Sequence, residues 1–296
     1  MLLKQFQSFY LHNFPDSIEQ LIEYFSVFGA FRHEIDITMP IDKLIVNAVL
    51  DNYGKLYNEI SSITLDKPAY QRLLTAVATG DRRFHSACRR AHISESIGAG
   101  IVEYFCGIGI LRIECSREMP PKKIHPKQRL KREVARHRIS DKLRFNSPFL
   151  RFWFYFIAPF HNKIETGNFD PVIKLFNEQH YSFTGFIFEE LSLEMLHRRY
   201  LDNPLVSAGS YWDRQVELDI LAKTKSGKII AGECKWTNTK INKSELTKLL
   251  EKCKTASIAP DVIALFAKRG FSNELLRMKS DQLQLYSAED FSDLLH

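Results

Sequence analysis

Two short apolar stretches late in the chain carry charges where apolar residues cost less. The first reads Val216-Glu217-Leu218-Asp219-Ile220-Leu221-Ala222, and the second reads Ile229-Ile230-Ala231-Gly232-Glu233-Cys234-Lys235-Trp236. Both have strand composition, and the Lys- and Gly-containing connection Lys223–Lys228 is short enough for a hairpin. Strand alternation puts Glu217, Asp219 and Leu221 on one face, and Glu233 with Lys235 on one face of the next strand. Antiparallel pairing then sets Asp219 beside Glu233 and Lys235. A charge buried alone costs several kcal/mol, so this grouping demands pairing or a bound metal.

Two carboxylates a few ångströms apart repel, and Mg²⁺ (or Mn²⁺) relieves that repulsion by binding both through oxygen. Such a cation polarises a phosphoryl oxygen and acidifies its water. Lys235 is placed to orient or deprotonate that water and to offset charge in the transition state. The pattern resembles the Asp…Glu-x-Lys core of the PD-(D/E)XK nuclease superfamily. That resemblance implies a further acid on the helix before the core strands. Glu189, within Gly185-Phe-Ile-Phe-Glu189, is the first candidate and Glu190 the second. The expected metal ligands are thus Asp219, Glu233 and Glu189, with Lys235 as the remaining catalytic residue.

Around this core the sequence divides into three regions. Residues 1–66 read as helical, with stripes at Ile18, Leu21, Ile22, Phe25 and Phe28, and again at Leu44, Ile45, Val49, Leu50 and Leu56. Residues 67–140 read as three helices followed by an extended segment, the outline of a winged helix-turn-helix with a basic wing or linker. Its third helix, about Ser94–Cys106, contains no Arg or Lys, which suits neither phosphate nor guanine contact. Basic residues lie before it, at Arg82, Arg83, Arg89 and Arg90, and after it, at Lys122, Lys123, Lys127, Arg129, Lys131 and Arg132. These are the candidate DNA contacts, and the same run also fits a solvated linker. Residues 141–296 open on the aromatic helix around Phe149, Phe152, Trp153, Phe156 and Ile157, whose wide face predicts core packing. Alternating helices and strands follow, an α/β arrangement that matches a restriction-endonuclease-like core.

Composition narrows the setting. The 45% apolar fraction supports sizeable cores, and no apolar run is long enough for a bilayer span. The five scattered cysteines form no CxxC pair, so a reduced, cytoplasmic setting without structural zinc is expected. The start, Met1-Leu-Leu-Lys-Gln-Phe-Gln, shows no secretory pattern. The net charge of +6 suits an anionic partner such as DNA.

Further motifs extend the resemblance over most of residues 70–296: Phe149-Leu-Arg-Phe-Trp-Phe, Tyr211-Trp212, Gly232-Glu-Cys-Lys-Trp236 and Lys268-Arg-Gly-Phe-Ser. Together they resemble the C-terminal portion of the archaeal and bacterial family of AAA ATPases that carries a DUF234 region. The resemblance implies a helical ATPase lid, a winged helix and a nuclease-like domain, with residues 1–66 as part of the lid. The family's GxxxxGK[ST] phosphate loop is missing from this chain, so no ATP hydrolysis is expected and the chain reads as a truncated, split or motorless member. Three functions stay open: a Mg²⁺-dependent DNA endonuclease, a catalytically inactive DNA-binding regulator, and a protein-interaction or self-associating module that docks through its N-terminal helices.

Overall fold

The computed structural model describes residues 1–117 and 141–296. The chain opens with α1 (Leu2–Asn13) and α2 (Ile18–Phe28), the latter capped by Ser17 accepting from the Gln20 amide at 3.1 Å. Helix α3 (Ile41–Ile45) runs into a π-helical turn, and α4 (Tyr53–Thr64) follows. Pro68 begins α5 (Pro68–Thr79), where its missing N–H costs nothing. Then come α6 (Phe84–Arg90), α7 (Glu95–Gly107) with its Ser94 cap, and strand β1 (Leu111–Glu114). Residues 1–66 are thus helical in outline, and α5, α6 and α7 lie where periodicity predicts.

Strand β2 (Lys142–Phe145) pairs antiparallel with β1, Arg112 opposite Arg144. The boundary drawn at 140/141 therefore falls inside a two-stranded sheet, because β2 completes a ladder begun at Leu111. The aromatic segment starts as α8 (Pro148–Phe152) and passes through π-helical Trp153–Ile157 and 3₁₀ Ala158–Phe160 into α9 (His161–Glu165). Phe152, Trp153, Phe156 and Ile157 are all buried, as the wide apolar face predicts.

The long α10 (Asp170–Arg199) then leads to a five-stranded sheet in the order β3 (Leu205–Trp212), β4 (Glu217–Thr224), β5 (Ile229–Lys235), β6 (Val262–Ala267), β7 (Leu283–Ser287). The first three strands run antiparallel, and β5–β6–β7 are parallel. Helix α11 (Lys243–Thr255) and α12 (Asn273–Met278) make the crossovers, and a 3₁₀ segment, Ala288–Leu295, closes the chain. The sheet separates two cores: Ile220, Ile230, Cys234 and Phe266 pack towards α10, while Leu218, Ala231, Leu249 and Leu265 pack towards α11. Gly232 lies where a Cβ would come within 3.1 Å of the Ala264 oxygen and of Ile220 Cβ, so a side chain there would press β4 and β6 apart by a few tenths of an ångström.

Strand β4 does not alternate regularly. Gly209 pairs with Leu221 but Tyr211 pairs with Leu218, so two steps on β3 face three on β4. This bulge slips the alternation between Leu218 and Leu221, and both pack on the α11 side. Glu217 and Asp219 both lie towards Glu189 of α10, whereas Leu221 packs on the α11 side, so the expectation that all three share one face fails at Leu221.

Candidate functional site

The hairpin brings its charges together. Ile220 pairs with Gly232, and the Cys234 amide donates to Asp219 Oδ2 at 2.8 Å. From the other side of the sheet, α10 brings Glu189 up to Asp219. Burial is the strongest influence on Asp219, followed by repulsion from Glu189 and then Glu233; together they hold its carboxyl well above the ordinary range. Burial also raises Glu189, against the pull of Arg82 and Arg144. Both acids line a cleft of about 390 Å³, together with Glu190, Glu114, Arg112 and Ser210.

Glu233 and Lys235 stand differently. Glu233 is buried and accepts from Lys235 Nζ at 2.7 Å and from Lys252 Nζ, on α11, at 2.8 and 3.0 Å. Lys235 also lies 3.7 Å from Glu245. Burial pulls the Lys235 ammonium down, but the Glu233 hydrogen bond and charge outweigh it, so the pKa stands above its usual value. A lysine so held remains protonated near neutrality and serves as a cation, so the expectation that it deprotonates water is not supported by its surroundings. The four sequence-picked residues are electrostatic neighbours, but Asp219 and Glu189 open on the cleft while Glu233 and Lys235 face α11.

The main feature that the sequence did not reveal is a set of cations from the other half of the chain. Arg144 on β2 is buried, bonded to Glu114, to Glu190 at 3.0 Å and to Ser210 Oγ at 2.9 Å. Lys142 pairs with Glu217 and sits 4.5 Å from the Trp212 ring centre, and Arg112 pairs with Glu190. Three guanidiniums crowd the Phe186 ring: Arg82 at 4.0 Å, Arg151 at 4.2 Å and Arg144 at 4.8 Å from its centre. Desolvation, then the neighbouring Arg82, pushes Arg151 down to about 9.

Arg82 changes role. Grouped by sequence with the outward basic residues, it turns inward over Phe186, towards Glu189 and Glu217. Its backbone takes a left-handed φ of 65°, unusual for a non-glycine residue, and is pinned there by the Leu143 amide donating to its carbonyl at 2.8 Å. Arg83 is half-buried and forms a backbone bridge with Lys142, whereas Arg89 and Arg90 are exposed on α6. Lys122, Lys123, Lys127, Arg129, Lys131 and Arg132 lie outside the described residues. No local signal marked Arg82 as inward, since its direction depends on β2, sixty residues later.

The donor set suits a hard divalent cation. Mg²⁺ typically takes one or two carboxylates and completes its shell with water and substrate oxygen, and two mutually repelling acids in one cleft offer that. Asp219 and Glu189 would hold it. Among the described residues no group of three His, Cys, Asp or Glu converges as a ready-made metal cage. Glu233, held by two lysines, would have to release them to join.

Residues 153–249 match the model of the DUF234 family, described as archaea bacterial proteins of unknown function. The matched stretch includes Glu189, Asp219, Glu233 and Lys235, but not Arg82 or the two-stranded sheet. No curated protein and no solved structure matches the chain. No helix among the described residues is long and apolar enough to cross a membrane.

Proposed function

We propose that the chain hydrolyses phosphodiester bonds in DNA with a divalent metal, as a PD-(D/E)XK-type nuclease carrying a winged-helix DNA-binding unit. The observation that carries this reading is the meeting of Asp219 and Glu189 in one cleft, with Glu233 and Lys235 beside them. A bound Mg²⁺ would acidify water and polarise the phosphate. Asp219 and Glu189 would hold it; Glu233 fixes Lys235, whose ammonium would offset charge as the phosphorus becomes five-coordinate. The α5–α6–α7 helices with the β1–β2 sheet support the winged-helix reading, and exposed Arg89 and Arg90 offer phosphate contacts. The test is cleavage of supercoiled plasmid in Mg²⁺ or Mn²⁺. Asp219→Asn and Glu189→Gln are each expected to slow it by about 100-fold or more. Undiminished cleavage by both variants would remove these residues from the site.

A second reading, a non-cleaving DNA-binding or protein-docking module, draws on two observations. Glu233 is already satisfied by lysines, and α7 exposes Glu95, Ile97 and Glu103 with no basic residue. Salt-sensitive DNA binding without cleavage in either metal would favour the regulator, and a stable protein complex without DNA binding the docking module.

A further inference from the structure

Beyond β1 the chain runs on along the outer edge of β3. The Ser210 amide donates to Glu114 Oε1 at 3.2 Å, the Trp212 amide to Ser116 Oγ at 3.0 Å, and the Arg117 amide to the Ser210 carbonyl at 3.4 Å. This edge pairing carries the Arg117 side chain over Gly209, where Nη2 donates to the Ala208 carbonyl at 2.6 Å. A Cβ on Gly209 would lie 2.9 Å from Arg117 Nε and 3.0 Å from Nη2, so a side chain there would push the guanidinium off. Arg117 is exposed and lines the cleft that holds Asp219 and Glu189. The other two arginines of that cleft are already answered, Arg112 by Glu190 and Arg144 by Glu114 and Glu190. Arg117 has no carboxylate within ion-pairing distance among the described residues. One Nη2 N–H is used on Ala208, and Nη1 with the second Nη2 N–H remains for an anion.

We propose that Arg117 binds a backbone phosphate of the DNA strand that enters this cleft, a neighbour of the phosphate at Asp219. Gly209 pairs with Leu221, two residues beyond Asp219. With about 4.8 Å between strands and about 3.3 Å per residue along them, Gly209 stands roughly 8 Å from Asp219. That offset is too long for Arg117 to share a phosphate with a cation on Asp219, and it suits an adjoining phosphate of the same strand. A planar guanidinium held by a backbone carbonyl is already oriented, so its remaining fork grips a phosphate at little entropic cost. The assignment rests on the nuclease reading above and deepens it. It adds a substrate contact that lies outside the strand motif and outside the matched stretch 153–249.

The experiment measures binding of the full chain to a short fluorescent DNA duplex by anisotropy, with a metal chelator present so that nothing is cleaved. Binding is followed between about 50 and 200 mM salt, where each phosphate contact adds about 0.9 to the slope of log affinity against log salt. Arg117→Gln is expected to weaken binding about 3- to 10-fold and to lower that slope by about one. Arg117→Lys keeps the charge and is expected to restore the parent's slope. Arg277→Gln, exposed on α12 and outside the cleft, is the control and is expected to bind as the parent does. Circular dichroism confirms that each variant is folded. A parental affinity and slope in Arg117→Gln overturn the assignment while leaving the nuclease reading standing. So does an equal loss in Arg277→Gln, which would reveal a general effect of charge, or a slope that Arg117→Lys fails to restore, which would reveal a structural role. No binding of DNA by the parent at the lowest salt overturns the DNA reading and the Arg117 contact together.

Discussion

Asp219 is the side chain whose protonation matters most. Its carboxyl binds a proton more tightly in the folded chain than in the unfolded one, because burial, Glu189 and Glu233 all oppose its charge. Stability contributed this way is fully present at low pH and declines as pH rises from the ordinary carboxylate range through the raised value. Glu114 has the opposite sign: burial raises it, but Arg144 outweighs that, so its contribution is present above the ordinary carboxylate range and lost as pH falls. Subtracting Asp219→Asn from the parent cancels Glu114 and leaves the titration of Asp219 together with its repulsion of Glu189. We expect the metal-free Asp219→Asn chain to gain stability relative to the parent as pH rises from 4 to 8, by about 1.4 kcal/mol per unit of raised pKa. Urea titrations across that range check this, and a flat difference would mean that Asp219 is not strained by its neighbours. Glu233 is buried and paired with Lys235 and Lys252. Removing one of its two lysines by Lys252→Ala is expected to cost about 1–3 kcal/mol, the lower end reflecting the partial exposure of Lys252. Thermal unfolding with and without the substitution measures it.

The two-stranded sheet is the element that ties the chain's halves together electrically. It sends Arg112 and Arg144 to Glu190, Arg144 to Glu114, and Lys142 to Glu217. Arg144→Met keeps much of the buried volume but leaves Glu114 and Glu190 short of their shared cation, which is expected to cost about 3–5 kcal/mol. Thermal unfolding of the variant against the parent measures it. Little of this was legible in the sequence. Helices α2, α5 and α7 and the β4–β5 hairpin announce themselves by local periodicity, and Asp219, Glu189, Glu233 and Lys235 stand out as charges in apolar runs. Strand β3, Leu-Val-Ser-Ala-Gly-Ser-Tyr-Trp, escapes because Ser207, Gly209 and Ser210 dilute its apolar pattern. The β4 bulge escapes because it is set by pairing with β3, and the inward turn of Arg82 because it is set by β2. Local patterns reveal the elements and the acids, but the cations that answer those acids are assigned only by tertiary pairing.

Across the whole molecule, the N-terminal helices are part of the same solid as the sheet. One apolar cluster runs from Leu2 through Phe25, Phe152 and Phe188 to Leu294. Phe25 is fully buried and meets Phe6 and Phe9 edge-on, at 5.2 and 5.8 Å between ring centres. At the far side, Lys268 follows β6, is almost wholly buried, and reaches Glu19 and Glu23 on α2 at 2.9 and 2.8 Å. Tyr181 and Trp236 lie against the same ammonium, at 4.8 and 5.0 Å from their ring centres. A helix bound to the sheet through both core and charge does not melt by itself. Phe25→Ala, more than a hundred residues before any strand of the large sheet, is therefore expected to destabilise the whole chain by about 3–5 kcal/mol. Near-ultraviolet and far-ultraviolet circular dichroism, followed through one urea titration, are expected to shift together. Loss of helical signal at a denaturant concentration that leaves the aromatic signal of the sheet intact would show instead that residues 1–66 fold as an independent unit. In that case the Lys268 contacts to Glu19 and Glu23 add nothing to the sheet's stability, and Lys268→Met would leave the second transition where it stands.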